Sequence, residues 1–396
     1  MRENNFLRKL VVFHFGYIMS GAFDVIVLGY LALKFSHNPN EVIKVFTSGF
    51  VARILLIYIS GYIIDCYSKK SILFVSSIVR SITLLVAGIM SLMGLLDIFT
   101  LSILAVLLMG AKQFYSTSIR TLAKIISKEK VSTTHYMLSI SANFAGIFAP
   151  IIAGIFLKFN LESYLFFLAS LINIIILIPL IRFKYREKVQ AKVNLLKTHH
   201  EFIKAFKYIR KSGALFYFAI MSFFIFGLFV RNAALVGFLH EQLKINAFEI
   251  SIFFGVSCTG AIFGSILVNK FLKKYLKIEK ILIFGTLLEG VFYILFSYFN
   301  NFYLELINIF LISTFFVLWI EFQSIAQVLS KKEYLAKASS IAQFLSFGMS
   351  IIFLELFKFL SFSFQDMLFG VGIIYVILGI FLFFYKFNSE HHKLGA

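Results

Sequence analysis

Apolar residues in this chain gather into twelve runs, at about 11–33, 44–64, 71–93, 98–119, 134–158, 163–182, 213–238, 249–268, 279–299, 303–324, 338–360 and 366–386. Short polar connections separate them. A helix needs roughly 20 consecutive apolar residues to cross a bilayer core, so each run predicts one membrane-spanning helix. The first run is too long for a signal-peptide core and lacks a small-residue cleavage site, so it is expected to stay as an uncleaved first helix. The only long polar stretch, 183–212, has six runs before it and six after it. It reads as a cytoplasmic linker between an N-terminal bundle over 1–182 and a C-terminal bundle over 213–396.

Composition sharpens the class. The 396 residues are 60% hydrophobic and only 14% charged, with a mean hydropathy of +0.90. A soluble domain carries about a quarter charged residues, so this chain cannot cover a water-facing surface, and no sizeable soluble domain is left over. Cys66 and Cys258 lie too far apart in sequence and context for a disulfide framework or a cysteine metal site. The net charge of +19 comes from 38 Lys and Arg against 19 Asp and Glu. Of those 38 cations, 29 fall in alternate connections and at the two ends, and only five in the intervening connections. That asymmetry predicts both termini on the cytoplasmic side and makes basic loops, rather than a nucleic-acid partner, the source of the charge.

An internal repeat supports the two bundles. Ala123-Lys124-Ile125-Ile126-Ser127-Lys128 after the fourth run recurs as Ala326-Gln327-Val328-Leu329-Ser330-Lys331 after the tenth, 203 positions on, and the same spacing carries Gly61 onto Gly264. The predicted fold is an all-α membrane protein of twelve transmembrane helices in two pseudo-symmetric six-helix bundles.

Two motifs carry a resemblance. The connection after the second run reads Gly61-Tyr62-Ile63-Ile64-Asp65-Cys66-Tyr67-Ser68-Lys69-Lys70-Ser71-Ile72-Leu73. It resembles the major facilitator signature G-x-x-x-D-x-x-G-[RK]-[RK]-x-x-L, with Ser68 in place of the second glycine. In the fifth run, Gly146, Ala149, Pro150, Ala153 and Gly154 resemble the small-residue and proline pattern of facilitator antiporters, where small side chains let helices approach closely. The stretch from Ser116 to Gly154 and the stretch 204–215 are similar to the macrolide-efflux branch of facilitator drug exporters. The arginine that many antiporters of the superfamily carry in the fourth span has no counterpart before Lys112. Independently of family, a carboxylate such as Asp65 at a helix end can meet the positive N-terminus of another helix, worth roughly 0.3–1 kcal/mol. With Lys69 and Lys70 it is expected to form a latch that holds one side closed.

Arg53, Arg80, Lys112 and Arg231 lie at membrane depth, where a charge is expensive unless it faces a cavity or a partner. The resemblance implies that spans one, four, seven and ten line the central cavity. Each carries one charge there: Asp24, Lys112, Arg231 and Glu321. Asp24 is expected to pair with Arg53 or Lys112, in a site where desolvation and a cationic neighbour oppose each other and a proton can be loaded or released. Arg80, Glu289 and Glu355 are expected to serve packing or local pairing. Among cavity-facing aromatics, Phe23, Phe114, Tyr115, Phe229 and Trp319 are candidates to stack on an apolar substrate.

His199-His200 and His391-His392 have no acidic or cysteine cluster around them, and no phosphate-cradling G-x-x-x-x-G-K-[ST] loop occurs. No catalytic site, cofactor or metal is expected, and the chain does not read as an enzyme. The resemblance implies a secondary transporter exporting an amphipathic drug, antibiotic or siderophore against inward proton flow. Its expected partners are that small molecule, the coupling proton and the lipid bilayer of a bacterial inner or plasma membrane, with the protein acting as a monomer. A permease importing a nutrient or moving lysophospholipid keeps the same fold. A non-transporting membrane sensor or assembly subunit is the reading from another class.

Overall fold

The computed structural model describes residues 2–36, 38–127, 131–182, 203–204, 206–330 and 335–385. Most of the expected linker, 183–202, lies outside the described residues, as do the surroundings of Gly61 and the side chain of Asp65. The first helices are α1 (Arg2–Ser36), α2 (Pro39–Cys66), α3 (Lys69–Leu92), α4 (Ile98–Ser127), α5 (Val131–Lys158), α6 (Glu162–Ile175) and α7 (Leu177–Ile181). Then come α8 (Ala214–Gln242), α9 (Ala247–Ile266), a π-helical turn at Leu267–Leu272, α10 (Lys273–Tyr275), α11 (Ile278–Tyr298), α12 (Phe302–Phe316), α13 (Leu318–Val328), α14 (Leu335–Phe359) and α15 (Phe364–Phe384). Eleven spans among the described residues are long and apolar enough to cross a membrane, and the 28-residue α2 stands beside them. The chain is therefore a multi-pass, all-helical integral membrane protein. Helices suit this setting because they satisfy every backbone N–H and C=O internally where no water can.

Side chains close the helix ends opposite the lysine-rich connections. The Asn38 side chain accepts from the Asn40 N–H at 2.9 Å with Pro39 opening α2, and Asn301 accepts from Tyr303 and Leu304 at 3.1 and 3.2 Å. Asp97 and Thr100 cap each other reciprocally, as do Ser363 and Asp366. The Thr100 N–H, with its hydroxyl, holds the Asp97 carboxyl below the ordinary carboxylate range. Between α5 and α6 the chain turns through Asn160 at φ 53°, and Lys34 ties that turn to α1 by reaching Asn160 at 3.2 Å and Glu162 at 2.5 Å.

Two of the expected continuous spans are interrupted. The run at 163–182 is α6 and α7, parted at Ile176, and the run at 303–324 is α12 and α13, parted at Val317. Pro179 explains the first break: it lacks an N–H and its ring crowds the carbonyl four residues back, at Ile175. α5, by contrast, runs through Pro150 without interruption.

The chain forms two compact units, residues Met1–Phe202 with Asn246–Ile252, and Ile203–Ile245 with Phe253–Ala396. In the first, α1 packs on α5 and α6, and α3 on α6. In the second, α8 packs on α14 and α15, and α11 on α15. The pairings thus recur in the order the repeat predicts. Close approach in the second unit depends on glycine. A Cβ on Gly290 would sit 2.8 Å from the Gly372 carbonyl, and one on Gly372 would sit 2.9 Å from the Gly290 carbonyl.

Candidate functional site

In the first unit two of the charges at membrane depth, Asp24 of α1 and Arg80 of α3, meet directly. The Asp24 carboxylate accepts a hydrogen bond from Arg80 Nη2 at 2.6 Å, with the arginine side chain fully buried and the aspartate 4% exposed. This corrects the expectation that Asp24 pairs with Arg53 or Lys112. The guanidinium packs directly over α1 beside Gly21, one turn before Asp24, where a Cβ would be in ordinary van der Waals contact with Nη2 at 3.6 Å. Arg80 Nε reaches Ser20 at 3.4 Å, and Asn173 on α6 holds Ser20 through a 2.5 Å hydrogen bond. The arginine carbon lies 5.2 Å from the Tyr17 ring centre. The pair is not saturated, since Asp24 Oδ1, Arg80 Nη1 and the Tyr17 hydroxyl find no hydrogen-bond partner among the described residues.

Beside it lies a cavity of about 150 Å³ lined by Tyr17, Ile18, Gly21, Ala22, Val25 and Lys112. Lys112, from α4, brings a positive charge to a wall that is otherwise mostly apolar. Arg53 on α2 does not reach Asp24; its Nε and Nη2 donate to Gln113 at 3.3 and 3.2 Å. Gln113 is held in turn by Ser60 and Thr117. Tyr115, one turn beyond Lys112, stacks on Tyr17 with ring centres 3.4 Å apart and hydrogen-bonds His14. The site therefore combines three cations, one carboxylate and a stacked aromatic pair. Such a wall can hold a ligand with an apolar body and an acceptor group, and can hold a proton.

The candidates in the second unit separate into two places. Arg231 on α8 is 5% exposed and donates from Nη1 to Ser313 at 3.1 Å; Ser313 in turn shares a 2.7 Å hydrogen bond with Ser257. Glu321 on α13 pairs instead with Lys273 at 2.8 Å. The two thus do not form a pair with each other, as their depths predict. Glu355 pairs within its own helix with Lys358 at 3.3 Å. Phe229 stacks on Phe347 at 4.5 Å, and Trp319 lies 6.3 Å from Phe316, while Phe23 is buried.

At the signature loop, Ser68 has φ −60° and ψ 126°. An L residue adopts that conformation without strain, so the missing glycine costs this turn nothing. Lys69 is buried, and Lys70 donates to the Ile181 carbonyl at 3.2 Å, at the end of α7. In α5, Ala149 and Ala153 are fully buried.

A family model described as Major Facilitator Superfamily matches residues 10–354. The chain belongs to that superfamily. It is thus a transporter rather than an enzyme. Superfamily members bind small-molecule substrates and often couple to protons. A mutant of the nucleoside transporter NupG matches with a TM-score of 0.74 and 15% identity, over 96% of this chain and 100% of that one. An auto-inhibited POT family peptide transporter matches with a TM-score of 0.73 and 9% identity, over 98% of each. A bacterial homologue of the iron transporter ferroportin, in an inward-facing state, matches with a TM-score of 0.66 and 15% identity, over 96% and 99%. At these identities the likeness is one of fold. No curated protein sequence matches the chain significantly.

Sequence reasoning singled out Asp24, Arg53, Lys112 and Arg231 but missed Arg80 as the partner of Asp24. A signal existed: Arg80 sits midway along its apolar run, at the depth of Asp24, where an unpaired cation is least tolerable.

Proposed function

We propose that the chain is a proton-coupled exporter of an amphipathic small molecule, working by alternating access between two six-helix bundles, 1–182 and 213–396. α2 is the twelfth span, and both termini are cytoplasmic in a bacterial inner or plasma membrane. The observation that carries this reading is the Asp24–Arg80 pair beside the Lys112-lined cavity. A carboxylate held by a cation at membrane depth can exchange a proton when the cavity opens to water, and a ligand entering beside it alters the balance. Export rather than import is supported by the small-residue and proline pattern of α5, Gly146, Ala149, Pro150, Ala153 and Gly154, and by similarity to the macrolide-efflux branch. Gly61, Asp65, Lys69 and Lys70 serve as the latch that alternately holds and releases the cytoplasmic side.

The test is flux in proteoliposomes with an imposed pH gradient, using ethidium and a radiolabelled macrolide as probes. The wild-type protein accumulates a probe against its gradient, and Asp24→Asn loses the gradient-driven component while still eluting as a folded, monodisperse species. Unaltered pH dependence in Asp24→Asn removes Asp24 from the mechanism. A permease of the same fold is the second reading, favoured by the nucleoside and peptide transporters among the structural relatives. Gradient-driven uptake into right-side-out vesicles, with none into inverted ones, selects it.

A further inference from the structure

The second unit carries a buried acid that the preceding mechanism leaves idle. Glu289, in the middle of α11, has no exposed surface, and neither of its carboxyl oxygens has a hydrogen-bond partner among the described residues. A buried carboxylate left bare is among the costliest arrangements in a protein interior, so the group must be neutral or must be able to recruit a cation. Arg231 on α8 is the cation within electrostatic reach of it. Arg231 Nε is itself without a partner, while Nη1 rests on the Ser313 hydroxyl.

The order of the helices gives this arrangement its meaning. Asp24 and Arg80 lie on the first and third spans of the first unit, which begin at Leu7 and Lys69, and Arg231 and Glu289 lie on the first and third spans of the second, which begin at Ala214 and Ile278, so each residue holds the same place in its helix as its counterpart 207 or 209 positions away. Their neighbours correspond as well. Ser20, one turn before Asp24, is held by Asn173 of α6; Gly227, one turn before Arg231, lies against the Tyr375 hydroxyl of α15, and Asn173 and Tyr375 are 202 positions apart. Equivalent helices of the two units thus each carry one buried acid and one buried cation, with the signs exchanged. In the first unit the two are joined as an ion pair at 2.6 Å, and in the second the acid is unbonded.

We propose that Glu289 is a proton-binding site of the second unit, with Arg231 as the group that reads its charge. With the proton on, Glu289 is a neutral carboxylic acid and Arg231 donates to Ser313, whose hydroxyl shares a hydrogen bond with Ser257. When the O–H bond breaks and the proton leaves to water, the carboxylate draws the guanidinium from Ser313, giving a pair like Asp24–Arg80. Reprotonation returns Arg231 to the serines. Other groups among the described residues bear on the pair or lie on helices packed against it. Tyr293, on the same helix, stacks on Tyr375 of α15 with ring centres 5.7 Å apart, and the Tyr375 hydroxyl donates to the carbonyls of Phe223 and Phe224 at 3.1 and 3.2 Å. Cys258 of α9 lies near Arg231. Of the other helices packed on α11, α12 carries Glu305 in its first turn, beside Asn308, and α13 carries Glu321, paired with Lys273. The use of this proton rests on the coupled-transport reading; its existence does not.

The experiment reads the proton directly. Infrared difference spectra between acid and alkaline buffer are recorded for the purified full chain in lipid nanodiscs, where a protonated carboxyl absorbs apart from a carboxylate. The expected result is a carboxylic-acid band that is lost in Glu289→Gln and kept in Asp24→Asn. A band unchanged in Glu289→Gln overturns the proposal. Arg231→Gln keeps the acid and gives a second readout that does not depend on Glu289→Gln folding. Without the cation the band persists into more alkaline buffer, and an unmoved midpoint overturns Arg231 as its partner. Flux of ethidium under a pH gradient is measured on the same preparations. Wild-type flux indifferent to pH removes coupled transport while leaving the infrared assignment standing.

Discussion

A guanidinium with no exposed surface needs acceptors on several sides, and Arg80 takes them from Asp24 and Ser20 with Tyr17 across its face. Such a pair adds little net stability when complete, yet removing one member leaves the other charge buried and uncompensated, at about 3–5 kcal/mol. Arg80→Gln is therefore expected to lower thermal stability in detergent by that amount, and the double variant Asp24→Asn/Arg80→Gln to recover part of it. Equal melting of Arg80→Gln and wild type would show that the pair is not buried. The need for partners was legible in the sequence, because Arg53, Arg80, Lys112 and Arg231 all fall inside apolar runs. The choice of partner was not. Arg53 and Arg80 lie at similar depths, and what goes with the assignment is the second partner of each: Arg80 also meets Ser20, which Asn173 holds, and Arg53 meets Gln113, which Ser60 and Thr117 hold. Those are contacts between helices far apart in the chain. Glu289 reads as packing from sequence for the same reason, since the absence of a partner is visible only in three dimensions.

Helices in a bilayer gain nothing from hiding apolar surface from one another, so their contacts depend on shape. Where α11 crosses α15, Gly290 and Gly372 let the two backbones meet. Gly290→Leu is expected to force α11 and α15 apart and to abolish monodisperse elution in mild detergent, whereas Leu288→Ala, at an exposed position of the same helix, leaves elution unchanged. Normal elution of Gly290→Leu would mean that the crossing is not close. Helix existence was readable from the apolar runs because length and hydropathy alone decide it. The break at Ile176 had a readable cause in Pro179, but the break at Val317 has no proline or glycine beside it. There the Thr314 hydroxyl bonds back to the Phe310 carbonyl at 2.9 Å and across to the Gly260 carbonyl at 3.2 Å, a tertiary contact that a one-dimensional pattern does not contain.

For the molecule as a whole, the chain forms two compact units in which the helix pairings recur in the same order, and each unit buries one acid and one cation on its first and third spans. If the signature loop acts as a latch, Asp65→Asn slows probe exchange in proteoliposomes while leaving folding intact; wild-type exchange rates would remove Asp65 from the cycle. The claim on which the account depends is that the cavity around Ala22 and Lys112 opens to water on each side of the membrane in turn. Its most direct test is a single cysteine at Ala22, in a chain with Cys66 and Cys258 replaced by serine, challenged with a membrane-impermeant thiol reagent from one face of oriented vesicles and then from the other. Labelling from both faces, with the balance shifted by a change of pH, is the predicted result. Labelling from neither face, or from one face under every condition, contradicts it.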